Sequence, residues 1–526
     1  MACLLSDCSN QNSLSLREKS VVYCSEASPA TFNPQQSTTS ISSDASAKLL
    51  FDTLVESETD AKEIKPALAL SWTVSQDQLH YVMDLRPHVQ FGSNKLFTPT
   101  RDFNADDVIF TFNRQRDTQH PFHAVGTGHY PFFYANNLDY IIKDLKKITP
   151  LQVEFILKKP TPGFLGLLAM DFSSIQSQEY AQNLLQNKSS FDLFPIGTGP
   201  FQLERYETDT FIRYHAKTNY WRKAPEIQTL VFAITQEPSL RLARLLTGEC
   251  DIMAQPLPSQ SQIIESHKDL TLDRQPSFNV AYWAFNTLRP PFNQLKVRQA
   301  LSYAISRHAI INSVYNNAAI IAKSPLPPNM FGATTPLPFI QQDREKSKAL
   351  LKEAAWDPDF VVDIWAMPVQ RPYNPDAKKM AELMHHDLAA VGVKSRIITY
   401  KWEVFLDKVS KGQHQTVLLG WRADNGEPDD FLTPLLSCNG RMNGTNRAFW
   451  CDQEFDHFID QARQAPKEQK LQLYKEAQDR FKSQLPWLPI AHAEQLIAYR
   501  KNIQHLTFTK TGGINFSQIS KSKEKE

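Results

Sequence analysis

Nowhere in its 526 residues does the chain carry a run of about 18 apolar side chains, so no segment is expected to cross a membrane as a helix. Charge of one sign is never concentrated either. The 57 Lys and Arg face 56 Asp and Glu with no long block of one kind, which excludes the clustered basic face that a nucleic acid requires. There is no Cys-x-x-Cys pair, so a structural zinc site or a thioredoxin-like dithiol has little support. Gly-x-Ser-x-Gly, His-Glu-x-x-His and a phosphate-binding glycine loop are missing as well. Gly197-Thr198-Gly199 lacks both the third glycine of a dinucleotide fingerprint and a following Lys-Ser/Thr. No catalytic residue, metal ligand or cofactor is therefore expected, and the chain reads as a binder rather than an enzyme.

What is present suits large, well-packed domains. Apolar residues make up 41% and charged residues 21% of the chain, and its length exceeds what one core usually covers, so two or three domains are expected. Six cysteines occur. Cys3 and Cys8 lie in the first ten residues, which have a short apolar patch but no basic start; either could carry a lipid. Cys24, Cys250, Cys438 and Cys451 form an even set that suits two disulfides in an oxidising compartment, with four buried thiols as the alternative. A Cys438–Cys451 bond would close a short loop.

Along the chain, Val21-Val22-Tyr23-Cys24 reads as a strand. The hydroxyl-rich run from Ser37 to Ser43 reads as an exposed loop or as a strand that a ligand's backbone approaches, and a helix follows over 45–55. A hairpin over 71–85 and a helix capped by Asn104, with Asp106 and Asp107 in its first turn, form a small β unit. His120, His123 and His129 lie among aromatics that could hold haem or a metal, or could simply pack on that unit. Strands are expected over 201–206, 211–215, 229–234 and 279–286, and helices over 240–246 and 297–305. Asn374-Pro375 is expected to cap and open a helix that Gly392 ends.

The stretch around which the chain is organised is Gly420-Trp421-Arg422-Ala423-Asp424-Asn425-Gly426-Glu427-Pro428. The preceding Thr416-Val417-Leu418-Leu419 reads as a buried strand that delivers the Asp424 carboxylate to a tight turn, the kind of strand end where open α/β sheets place ligand groups. Asp424 is the candidate anchor for a cationic group; the alternative is that it only caps the turn.

Four further motifs occur in one order with this stretch: the run from Leu96-Phe97-Thr98-Pro99 through Asn104-Ala105-Asp106-Asp107-Val108, then Pro195-Ile196-Gly197-Thr198-Gly199-Pro200-Phe201, Lys296-Val297-Arg298-Gln299-Ala300-Leu301, and Arg371-Pro372-Tyr373-Asn374-Pro375. Together they resemble the large extracytoplasmic solute-binding family of peptide transporters, its periplasmic dipeptide-binding members above all, over residues 21–516. The resemblance implies an α/β, two-lobed periplasmic-binding-protein fold with a small β subdomain in the first lobe. Its divisions would be a leader or tether over 1–20, lobe I over 21–278, lobe II over 279–491, and a return to lobe I over 492–526. It also implies a monomer that closes on a dipeptide and passes it to inner-membrane ABC permease subunits. By position, Asp424 would receive the peptide α-ammonium and Arg371 its carboxylate. Tyr373, Gly420 and Trp421 would line the site, and Thr38 and Ser40 would lie on a strand bonding the peptide backbone. Cys24 would pair with Cys250 and Cys438 with Cys451. Haem, glutathione and antimicrobial-peptide binders belong to the same family and are the alternatives. Ser40 departs from the glycine of dipeptide binders, which would narrow the approach to the backbone. The implied location is periplasmic, with a possible lipid anchor at Cys3 or Cys8.

Overall fold

Asn279–Phe285, Asn-Val-Ala-Tyr-Trp-Ala-Phe, is buried at every position, as a strand covered on both faces must be. Its neighbours are Thr416–Arg422 on one side and the 14-residue Trp487–Arg500 on the other, both antiparallel to it. The computed structural model describes residues 19–37, 40–57, 64–161, 163–334, 340–423, 426–442, 445–508 and 513–522. Within them one sheet runs from Lys394–Ile398 through Val361–Ala366, Thr416–Arg422, Asn279–Phe285, Trp487–Arg500, Ile252–Met253, Ser20–Ser25, Thr229–Ile234 and Phe211–Ala216 to Phe201–Glu207.

Trp487–Arg500 serves both lobes. Its first part, to Ala491, pairs with Asn279–Phe285, and from Glu494 onward it pairs with Leu270–Pro276. Between those registers Asn279, which is fully buried, clasps the strand: its Nδ2 donates to the Ala493 carbonyl at 2.7 Å and its Oδ1 accepts from the Ala493 N–H at 2.8 Å. His492 Nδ1 lies 2.7 Å from the Asn279 carbonyl, to which it donates as a neutral ring, because burial pushes its pKa down to about 4.

The cores divide accordingly. Trp283, Leu301, Met380, Leu418, Phe455 and Trp487 belong to one cluster, and Val21, Tyr214, Phe232, Ile252, Ile497 and Phe516 to another. A third cluster covers a four-stranded antiparallel sheet in which the hairpin Ala69–Val74 and His80–Leu85 is extended by Gln152–Leu157 and Ile142–Thr149. Asn104 caps Ala105–Arg116 through the Asp106 N–H, 2.9 Å away. Asp107 is buried, accepts from the Asn104 N–H and pairs with both Arg101 terminal nitrogens, so it serves the cap and an ion pair together. Phe122, Tyr130, Phe132 and Phe133 from the His-rich stretch are buried in this same core.

One helix start differs from expectation. Asp376, not Asn374, caps Ala377–Ala389, accepting from the Lys379 N–H at 2.9 Å. Asn374 is engaged before the helix: its backbone exchanges two hydrogen bonds with Arg371, each 3.0 Å, and its side chain accepts from the Asp376 N–H. Pro375 lies between that closed turn and the Asp376 cap. The structure joins Cys24 to Cys250 and Cys438 to Cys451.

Candidate functional site

Thr416–Arg422 enters buried and leaves half-exposed: its first four residues are in the core, and Gly420, Trp421 and Arg422 are partly open. Gly420 lies opposite Ala281 in the ladder. A Cβ there would stand 2.3 Å from Tyr373 Cδ2 and 2.4 Å from the Val280 carbonyl oxygen. The glycine thus lets the Tyr373 ring lie directly on the strand. Tyr373 is held from behind as well, its carbonyl accepting from the Tyr315 hydroxyl at 2.8 Å. Because Val280 is fixed in the ladder, a methyl at position 420 must move Tyr373. Gly420→Ala is expected to cost about 1–3 kcal/mol of stability and to weaken ligand binding, read by thermal unfolding and by titration of the same preparation.

Trp421 packs against two of these cores, that of Trp283 and that over the four-stranded sheet, and meets Phe132 of the latter edge-on at 6.1 Å. Its buried Nε1–H has no protein acceptor among the described residues.

Arg371 is 8% exposed, with its guanidinium 4.4 Å over the Trp402 ring and Nη1 donating to the Gln370 carbonyl at 3.1 Å. No carboxylate pairs with it among the described residues. Burial holds its pKa below the usual arginine value, and the Glu26 carboxylate works against that shift. It lines a cavity of about 50 Å³ together with Tyr23, Asp44, Gln255, Gln370 and Arg422. Asp44 is a second charge on this wall; burial pushes its carboxyl up to about 6, and Arg422, which lines the same cavity, draws it back down. A buried guanidinium that makes no ion pair of its own among the described residues can receive an anion, since its desolvation has already occurred.

The structure therefore brings Tyr373 and Gly420 into contact, sets Arg371 in the cavity wall, and places Trp421 against Phe132 and the core over the four-stranded sheet. Asp424 and Thr38 lie outside the described residues. The strand expected to carry Ser40 is a correction: Ser40 opens a helical stretch that continues through a π-helical segment, Ser43–Ala47, to Leu50. Ile41, Ala45, Leu49 and Leu50 are buried from it, so burial of an apolar face decides the conformation there. Sequence reasoning missed Trp402 beneath Arg371, and Gln370, whose Oε1 accepts from Arg241 Nη2 at 2.9 Å while its Nε2 donates to the Gln255 carbonyl at 2.8 Å. A tryptophan 31 positions from the arginine it supports gives no local signal.

The sequence profile of the bacterial extracellular solute-binding proteins, family 5, matches residues 63–443. The dipeptide-binding protein of Escherichia coli is 43% identical over 509 residues, 96% of this chain and 95% of that one. Heme-binding protein A of Haemophilus influenzae is 39% identical over 94% of this chain and 91% of its own length. Among solved structures, the dipeptide-binding protein from Pseudoalteromonas sp. SM9913 in complex with Met-Leu superposes with a TM-score of 0.92 at 39% identity, covering 96% of this chain and all of that one.

Proposed function

From the fact that the chain belongs to the family 5 bacterial extracellular solute-binding proteins, we propose that it is the substrate-binding component of an ABC importer for dipeptides. It captures the ligand between its lobes and delivers it to the permease. The observation that carries this reading is Arg371: a guanidinium buried on an aromatic ring, without a carboxylate partner, in the wall of an interlobe cavity. A dipeptide zwitterion leaves water only if both ends meet opposite charge, because an unpaired buried charge costs several kcal/mol. Arg371 takes the carboxylate, for which its planar fork is suited. Asp424 takes the α-ammonium. Two such anchors measure ligand length, while Tyr373 and Trp421 offer apolar surface that tolerates different side chains.

The part of the chain in transport is binding, not catalysis. Lobe I comprises 21–278 and 492–526 and lobe II 279–491, turning about the two crossings near 278 and 492. Residues 1–20 are a leader or a tether, with Cys3 or Cys8 as the lipid-bearing position. The monomer works outside the cytoplasmic membrane, where its disulfides persist. The test is calorimetric titration of unfolded, ligand-stripped and refolded protein with a mixed dipeptide, a tripeptide, glutathione and haem. Tight binding of the dipeptide and weak binding of the rest is expected. Binding of haem or glutathione with none of the dipeptide would keep the family and overturn the ligand.

A further inference from the structure

Asn439 belongs to lobe II, yet its amide nitrogen sits in a cradle of lobe I oxygens: 3.0 Å from Asn137 Oδ1, 3.1 Å from the Ala135 carbonyl and 3.3 Å from the Tyr134 carbonyl. The two amide hydrogens are shared among three acceptors. The cradle is the corner between Pro131–Ala135 and Leu138–Ile141, turned by Asn137 in the left-handed region (φ 57°, ψ 30°), which aims both carbonyls and the side chain the same way.

The donor is held as firmly as the acceptors. Cys438, immediately before it, is tied to Cys451 and donates its N–H to the Asp456 carboxylate at 3.1 Å. Gly440, immediately after it, packs so closely that a Cβ would lie 2.5 Å from the Pro434 carbonyl oxygen. Asn439 therefore needs little ordering when the lobes meet. It lines a second interlobe cavity of about 470 Å³ that shares no lining residue with the cavity of Arg371.

We propose that Asn439 is a closure-positioning residue, a latch that holds the lobes together through the Tyr134–Asn137 corner without touching the ligand. The inference rests on the reading that the lobes close on a ligand. Contacts made only in the closed state raise apparent affinity by shifting the open–closed balance, and they do so equally for every ligand the closed state admits.

The test uses the full-length protein with donor and acceptor dyes on the two lobes, together with stopped-flow release of several dipeptides. Asn439→Ala is expected to weaken all of them by one common factor of about ten, equivalent to about 1.4 kcal/mol, chiefly through faster release. It is also expected to lengthen the mean interlobe distance of the ligand-free protein. Asn439→Asp, which sets an anionic acceptor against three acceptors, is expected to lose more. Asn137→Ala on the opposite lobe is expected to lose less, and to add little on top of Asn439→Ala. Unchanged distance and release in both Asn439 variants would overturn the latch, and so would losses that differ from dipeptide to dipeptide, which would mark a direct ligand contact. The ligand-free distance reads the latch even if dipeptides prove not to be the ligand.

Discussion

Arg371→Ala is expected to lower dipeptide affinity by a hundredfold or more, about 3 kcal/mol, while leaving the ligand-free protein as stable as before or more so. The two halves of this expectation have one cause. In the free protein the guanidinium is buried, stacked on Trp402 and bonded to a backbone carbonyl, with no carboxylate to balance it among the described residues, and burial already holds its pKa down. Removing it relieves that cost and leaves no partner behind. In the complex, the ligand carboxylate would then be the unpaired buried charge, and the full penalty falls on binding. Arg371→Lys keeps the charge but loses the planar fork and the stack on Trp402, so an intermediate loss on the order of tenfold is expected. Tripeptides, whose carboxylate would not meet Arg371 if two charged anchors measure ligand length as proposed, should respond far less. Titration and thermal unfolding of the same three proteins check both halves. Wild-type affinity in Arg371→Ala would remove the arginine from the site.

The elements legible in the sequence were those whose own pattern decides their conformation. Thr229–Ile234 runs as expected because Leu230, Phe232 and Ile234 alternate to bury one face, Pro238–Thr247 extends its expected helix at both ends, and Leu295–Ala304 starts two residues earlier than expected and stops one short. The hydroxyl run at Ser40 misled because between Ile41 and Leu49 its helix buries only alanines and serines, so the apolar period is faint where the stretch begins. Asn374 misled because asparagine closes a turn as readily as it caps a helix. Arg114 and Arg241 are fully buried, against the habit of their residue type, because each finds enough carbonyl and side-chain acceptors from distant segments, among them Gln370 for Arg241. At the site, the residue types at 371, 373, 420 and 421 were readable in order along the chain. What joins the lobes was not: Gln370 to residues 241 and 255, and Asn439 to residues 134–137, are pairings more than a hundred positions apart, and no local period reports them.

The two disulfides should separate stability from closure. Cys24 is fully buried in Ser20–Ser25, between Thr229–Ile234 and Ile252–Met253, and its bond to Cys250 spans 226 residues, a loop that contains the whole four-stranded subdomain. In the chain-entropy account such a loop contributes about 5 kcal/mol, against about 3 kcal/mol for the 13-residue span of Cys438–Cys451. Cys24→Ala/Cys250→Ala is therefore expected to lose more stability than Cys438→Ala/Cys451→Ala, by roughly 2 kcal/mol, in denaturant unfolding followed by tryptophan fluorescence. Affinity should run the other way. Cys24 and Cys250 lie inside lobe I, so dipeptide binding by the folded fraction of that variant should match wild type. Cys438 adjoins Asn439, and freeing it loosens the residue on which closure bears; the less destabilised variant should then be the weaker binder. Equal stability losses would show that the long loop is already constrained in the unfolded chain, and equal affinities would show that the short disulfide stabilises lobe II alone.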